Sequence, residues 1–153
     1  MHTLLSAIKT QLQSDLTYVR DRDIYITPSL DWIEPGAMFP NVGIKDGRIV
    51  RVELAGGYIR ETLYVGLAVY VDLQKDEASV MGDASTGKKG VLQIAADIHE
   101  SLDENTLDIS GMQKAVAISP EPESELVTDE KGVMQRKIIY YMYEQERLRW
   151  SQN

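Results

Sequence analysis

The longest regular pattern in the chain is an alternation of apolar and other residues over residues 61–73. A period of two over a segment this long, rich in Val and Tyr, predicts a long β-strand, which we place at the centre of a sheet. On one face Tyr64 and Tyr70 flank Gly66 and Ala68 and form a shallow saddle, which a helix of this chain, a neighbouring subunit or solvent could face. The other face must lie on a core because it is purely aliphatic; it carries Leu63, Val65, Leu67, Val69, Val71 and Leu73.

Two segments have apolar residues at spacings of three and four, which predicts amphipathic helices. The first helix spans about residues 3–19, with Thr3 as a suitable N-cap. The second begins near Ser85 or Thr86 and ends near Leu102, where the acidic residues that follow oppose the negative end of the helix dipole.

The remaining β-prone segments cover residues 23–27, 42–45, 48–54, 113–118 and 133–145. Asp-Gly at positions 46 and 47 predicts a tight hairpin between the second and third of these. Successive hairpins make a meander. We therefore predict one α+β domain over residues 1–153, with a mostly antiparallel sheet and two helices on one face.

Three loops separate these elements. Residues 28–40 contain three of the five prolines and yet carry large apolar side chains, so this loop either folds back over the core edge or reaches into a partner. Residues 74–90 are polar and contain glycine, which predicts a flexible contact loop, and residues 119–132 form an acidic hairpin loop. The candidate contact residues are Trp32, Ile33, Met38 and Phe39 in the first loop and Lys75, Asp76, Glu77, Lys88 and Lys89 in the second.

The last predicted strand is apolar on both faces in its middle, so both faces must be covered. Two helices cover only one face of a sheet of this size. The uncovered face predicts a contact between copies of this chain, in a homo-oligomer. The candidate interface residues are Tyr64, Tyr70, Ile138, Ile139, Tyr140, Tyr141 and Tyr143.

Composition narrows the function classes. The net charge of −8 disfavours a protein that grips nucleic acid, although an acidic wall suits a channel through which DNA passes. The absence of cysteine excludes disulfides, thiolate catalysis and cysteine-ligated zinc. No apolar run is long enough to span a bilayer, so no membrane role is expected.

No catalytic, metal or cofactor site is predicted. The segment from Gly82 to Lys89 nearly matches a phosphate-binding loop, but Lys89 stands where that loop needs Ser or Thr for Mg²⁺. His99 has only carboxylates for neighbours on its helix, which is typical of a solvated helix face rather than a metal site.

The order of helix, meander, helix and closing hairpin with a long loop resembles the tail-terminator family (tail-completion or minor tail proteins) of long-tailed bacteriophages and prophages. The segments that carry the resemblance are residues 39–44, 62–72, 91–102 and 135–141. The resemblance implies a subunit that assembles as a ring, typically a hexamer, at the head-proximal end of the tail tube. Such a ring ends tube polymerisation and offers a docking surface to the head.

The same resemblance implies a virion protein made in the host cytoplasm, without catalytic residues or a cofactor. Its partners would be the tail tube protein and a head–tail connector or neck protein, with DNA met only by passage through the channel. Three alternatives stay open: a connector or neck protein, a small cytoplasmic enzyme whose site forms between subunits, and a host adaptor module unrelated to phage.

Overall fold

The computed structural model of the chain describes residues 1–73, 77–130 and 132–149, which form an α+β fold. Its helices and strands, in chain order, are α1 (His2–Asp15), β1 (Ile24–Ile26), β2 (Asn41–Glu53), β3 (Tyr58–Asp72), α2 (Ala78–Met81), α3 (Val91–Leu102), β4 (Met112–Ala117), β5 (Glu125–Asp129) and β6 (Gly132–Leu148). No helix among the described residues has the length and the hydropathy needed to cross a membrane.

A six-stranded sheet is built around β3, as the alternation predicts. The strand order is β1-β2-β3-β6-β4, and β5 pairs with β6 beyond the end of β4. β3 and β6 form an unbroken antiparallel ladder, from Tyr58 opposite Leu148 to Asp72 opposite Met134. The two longest strands therefore form the centre of the sheet.

The sheet is mixed, which corrects the expectation of an antiparallel meander. β1 runs parallel to β2, with Ile24 opposite Val42 and Ile26 opposite Ile44. Because the chain must return to the same end of the sheet between parallel neighbours, residues 28–40 form a crossover connection rather than a hairpin turn. The neighbour of β3 after β2 is β6, so the meander is also interrupted there.

The predicted hairpin at Asp46 and Gly47 is wrong. Both residues lie inside the single strand β2, where the pairing with β3 shifts register between Asp46 and Ile49. A Cβ on Gly47 would lie 2.7 Å from the carbonyl oxygen of Tyr64, so glycine permits a close approach of the two backbones at this bulge. Asp-Gly marks an irregularity here that bends a strand without reversing it.

Other boundaries also differ from the predictions. α1 ends at Asp15, earlier than predicted. Its N-cap position is Met1, and Thr3 lies inside the helix. α3 begins only at Val91, because the Gln93 side-chain oxygen accepts the backbone N–H of Gly90 at 3.1 Å and closes the helix start there. The stretch predicted as a flexible loop contains the short helix α2, and the acidic loop contains β5, which pairs with β6.

The main core lies between the sheet and helices α1 and α3. The aliphatic face of β3 is buried in it from Leu63 to Val71, as the sequence pattern predicts. The helices contribute Leu4, Leu5, Ile8 and Leu12 from α1 and Val91, Ile94, Ala95, Ile98 and Leu102 from α3. This packing buries one face of the sheet within the chain itself.

Residues 28–40 fold back over part of the opposite face, around Gly66, Ala68 and Tyr70 of β3. We call this part the upper half of the sheet and the part towards Tyr58 the lower half. Leu30 lies above Gly66, and Tyr70 donates a hydrogen bond to the carbonyl oxygen of Leu30. A second apolar cluster forms there from Ile33, Ala68, Tyr70 and Met134, flanked by Leu30, Ala37, Phe39, Val127 and Ile138. The loop thus takes the first of the two roles predicted for it, as a cover for its own sheet.

Candidate functional site

The two loops predicted as contact loops meet around one cleft at the upper end of the sheet. The cleft has a volume of about 570 Å³. It is lined by Tyr18, Ala37, Met38, Phe39, Pro40, Val71, Asp72, Gly87, Lys88 and Lys89. Segments distant in sequence therefore form one surface, which we call the loop cleft.

One wall of the loop cleft is held by three polar side chains. The Tyr18 hydroxyl donates to Asp97 Oδ2 at 2.5 Å, and Lys89 Nζ donates to the same oxygen at 2.7 Å. Lys89 Nζ also lies 4.4 Å from the centre of the Tyr18 ring. Burial opposes ionisation of Asp97, but the hydrogen bonds from Lys89 and Tyr18 outweigh it and lower its pKa. Burial, reinforced by Asp97, raises the pKa of Tyr18, so this corner holds a neutral phenol, a carboxylate and an ammonium group.

The apolar wall comes from the end of the crossover loop. Met38 is 56% exposed, while Phe39 is half-buried against the second apolar cluster. The backbone N–H of Met38 donates to Asp23 Oδ1 at 3.0 Å, and Arg20 Nε pairs with the other oxygen of that carboxylate at 2.6 Å. A buried, ion-paired Asp23 therefore fixes the backbone that presents Met38 to solvent.

The other predicted contact residues are more scattered. The ring of Trp32 is 39% exposed and meets Tyr25 edge-on, with 6.4 Å between ring centres. Ile33 is buried on the second face of the sheet. Glu77 is exposed just before α2, and Lys75 and Asp76 lie outside the described residues.

A second candidate surface is the lower half of the sheet face that the crossover loop leaves uncovered. Side chains on this half point away from the helices, as the strand register shows. Arg60 crosses it and pairs with Glu146 at 2.7 Å. We call this surface the open face; its apolar residues are Val50, Val52, Tyr58, Tyr64, Val116, Tyr140, Met142 and Leu148.

The open face contains only two of the predicted interface residues, Tyr64 and Tyr140. Ile139, Tyr141 and Tyr143 are fully buried in the main core, because helices α1 and α3 cover that face of β6. Tyr70 is buried and Ile138 half-buried in the cluster under the crossover loop. These five residues support the fold of their own chain; four of them are buried in it, and Ile138 keeps part of its surface exposed.

The sequence pattern missed several members of both surfaces. Tyr18 and Asp97 are 79 positions apart, so nothing in the local pattern joins them. Val50, Val52 and Val116 were assigned to strands, but their exposure depends on how far the crossover loop reaches over the sheet. The sequence did carry a signal for Tyr64, which flanks the predicted saddle, and for Tyr140, which lies on a strand predicted to need cover on both faces.

His99 takes part in a structural network. Its Nδ1 lies 2.5 Å from the Tyr141 hydroxyl, and its Nε2 lies 2.5 Å from Glu121 Oε1. The other oxygen of Glu121 pairs with the buried Lys137 at 3.2 Å. The network ties the acidic loop to α3, and no group of three or more His, Asp or Glu side chains within the described ranges converges to hold a metal ion.

Comparisons with known proteins give one kind of match. No protein-family model matches the sequence, and no curated protein matches it. Among solved structures, the chain is similar to a chain of the structure described as the virion of native gene transfer agent (GTA) particle. The TM-score is 0.60 at 16% sequence identity, and the match covers 94% of this chain and 95% of that chain. The two chains therefore share a fold over almost their whole lengths.

Proposed function

We propose that this chain is a structural protein of a tailed-phage virion that caps the head-proximal end of the tail tube. There it ends tube polymerisation and provides the surface on which the head docks. The observation that carries the proposal is the likeness, over nearly the entire chain, to the fold of a chain from a gene transfer agent virion. The more specific role as a tail terminator comes from the resemblance carried by residues 39–44, 62–72, 91–102 and 135–141.

The open face supports assembly into a ring of identical subunits, for which we propose six. It spans parts of four strands over about nine residues, which corresponds to an area on the order of 500 Å². This area includes the polar side chains of Arg60, Thr62, Glu144 and Glu146, so its apolar part lies within the range that monomers expose. A head-to-tail contact on this face, repeated by rotation, closes a ring. Further contacts are needed to reach the roughly 800 Å² per partner of a typical specific interface.

The loop cleft and the exposed Trp32 supply candidates for contacts to other proteins of the virion. In this proposal they meet the tail tube protein on one side and a connector or neck protein on the other. The net charge of −8 suits a ring through which DNA slides without binding. The proposed protein performs no catalysis and uses no cofactor, because its task is to present surfaces.

Imaging of assembled particles tests the proposal most directly. A labelled copy of this chain should lie as a single ring between head and tail. Sedimentation of the isolated chain at high concentration should show a closed oligomer, unless the ring closes only on the end of the tube. A chain absent from particles, or spread along the whole tail, would overturn the role as a terminator.

A further inference from the structure

We propose that the loop cleft binds an extended segment of a different virion protein, in which a large apolar side chain stands next to a carboxylate. This inference rests on the proposed function in one respect, namely that the segment belongs to a virion partner. The chemistry of the segment follows from the cleft alone.

The apolar lining requires an apolar anchor. Ala37, Met38, Phe39, Pro40 and Val71 form most of the wall, and the volume of about 570 Å³ is in the range of sites that enclose one or two large side chains. Part of this apolar lining faces solvent, since Met38 is 56% exposed. A side chain inserted here removes all of these surfaces from water.

The charge at the rim selects an acidic neighbour for that anchor. Lys88 and Lys89 stand together at the cleft of a chain whose net charge is −8. Asp97 neutralises Lys89, whereas the exposed Lys88 has no ion-pair partner among the described residues. Asp72 also lines the cleft and has an interaction of its own, so the proposal places the incoming carboxylate beside Lys88 and away from Asp72. An incoming carboxylate therefore finds one available ammonium group beside the apolar wall.

The cleft is preformed, which favours a segment that orders on it. Tyr18, Lys89 and Asp97 fix one wall, and the hydrogen bond from Met38 to Asp23 fixes the other. Rigid walls lower the entropy that the cleft side must lose on binding. The entropy lost on binding then comes mainly from the ordering of the extended segment, as is usual for short peptide segments bound by folded domains.

A second copy of this chain is the competing occupant. Its Leu126, 60% exposed and preceded by Glu125, has the required chemistry. However, Leu126 and Val71 both pair with Gln135 from opposite sides, so Leu126 lies in the same row of the sheet as the cleft wall. Because Leu126 and the cleft are separate patches, a second copy could dock either as a reciprocal two-fold dimer or head to tail, and the experiment below distinguishes a second copy from a different protein.

Selection from a random peptide library on the full-length chain tests the inference without knowledge of the partner. We expect enrichment of peptides with a large apolar residue within two positions of Asp or Glu. A synthetic peptide of the enriched sequence, followed by fluorescence anisotropy, should bind about tenfold more weakly to Met38→Ala and to Lys88→Glu. The matched control is Lys9→Glu, which changes a partly exposed lysine on α1 in the same way, outside the lining of the cleft and off the open face, and should leave the affinity unchanged. Thermal unfolding of each variant verifies that it is folded.

Three results would overturn the inference: no enrichment, enrichment of peptides without acidic residues, or equal affinity for wild type and Lys88→Glu. A concentration-dependent dimer that Met38→Ala and Leu126→Ala both abolish would assign the cleft to a second copy instead. Particle imaging is independent of these measurements. If the chain caps the tail but binds no acidic peptide, the proposed function stands and this inference is wrong. If the chain binds the peptide but is absent from particles, the cleft chemistry stands and the proposed function is wrong.

Discussion

The side chain of Leu30 lies so close to Gly66 that a Cβ on residue 66 would be 2.9 Å from Leu30 Cδ1. On the other side of the same position, the ring of Tyr140 would be 3.3 Å away. The missing side chain at position 66 therefore forms a socket, and the crossover loop fills it. This socket is the saddle that the sequence predicts on the central strand.

Gly66→Val should lift the crossover loop from the sheet, because two added methyl groups compete with Leu30 for the same space. We expect a loss of about 1–3 kcal/mol in the free energy of unfolding, typical of overpacking in a filled site. Limited proteolysis should cut the variant faster within residues 28–40. Thr62→Val is the control, since Thr62 lies on the same strand and face but below the loop. Equal proteolysis of wild type and Gly66→Val would contradict the packing described here.

Trp32→Ala and Phe39→Ala should separate the two roles of the crossover loop. Phe39 supports the fold, so its truncation should cost about 1–2 kcal/mol of stability from lost burial. Trp32 is more exposed, so its truncation should lower the free energy of unfolding by only about 1 kcal/mol, mainly through loss of its edge-on contact with Tyr25. Attachment of heads to tails, counted by electron microscopy, should fall more in Trp32→Ala than its small stability loss explains.

The comparison for Trp32 is Leu92→Ala on α3, because the two side chains are 39% and 40% exposed. Head attachment in Leu92→Ala should equal that of wild type. Normal attachment in Trp32→Ala would remove this residue from the set of partner contacts and leave the loop with its covering role.

Tyr140→Asp should prevent ring formation while leaving the monomer folded. The side chain is 38% exposed in the monomer, so a carboxylate there remains hydrated, but burial of that charge at a subunit contact is costly. Sedimentation at high concentration should show the loss of any oligomer, and complementation should yield tails of irregular length. Retention of the oligomer in Tyr140→Asp would place the subunit contact elsewhere than on the open face.

Glu61 should make the stability of the lower sheet depend on pH. Burial opposes ionisation of Glu61, but hydrogen bonds from Arg147 and Arg51 outweigh it and lower its pKa from the ordinary 4.5. Because this pKa is lower in the folded chain, the carboxylate stabilises the fold above about pH 4.5, and that contribution is lost as pH falls through the folded pKa. Glu61→Gln should therefore lose about 1.5–3 kcal/mol at pH 7 and show a weaker decline in stability below pH 4.5.

The control for this measurement is Glu123→Gln, which removes an exposed carboxylate from the acidic loop. Denaturant unfolding of the three proteins between pH 7 and pH 3 gives the comparison. A parallel decline in wild type and Glu61→Gln would show that other carboxylates carry the acid sensitivity.

The sequence predicts best where a pattern repeats. The alternation from Leu63 to Val71 identifies the central strand and its buried face because five side chains agree. It fails at Asp46 and Gly47, where one dipeptide suits both a hairpin and a bulge and only the pairing of β2 with β3 decides between them. The dipeptide indicates that the strand is irregular at this point. The tertiary structure decides whether the irregularity is a turn or a bulge.

The interface predictions depend on information that no local pattern contains. A strand that is apolar on both faces needs cover on both, but its sequence does not say which part of the protein supplies it. For Tyr70 the cover is the crossover loop, which packs on the sheet through the second apolar cluster and is joined to β6 by the bridge from Arg136 to Asp31 across 105 positions of sequence. For Tyr141 it is α3. Only Tyr64 and Tyr140 remain for a partner, and that result required the complete packing.

The unbroken pairing of β3 with β6 determines how the subunit bears mechanical load. The two strands are joined at fifteen successive positions, from Tyr58 to Asp72. A pull along the strand direction loads all of these backbone hydrogen bonds at once, in shear, whereas a pull across the sheet would open them one after another.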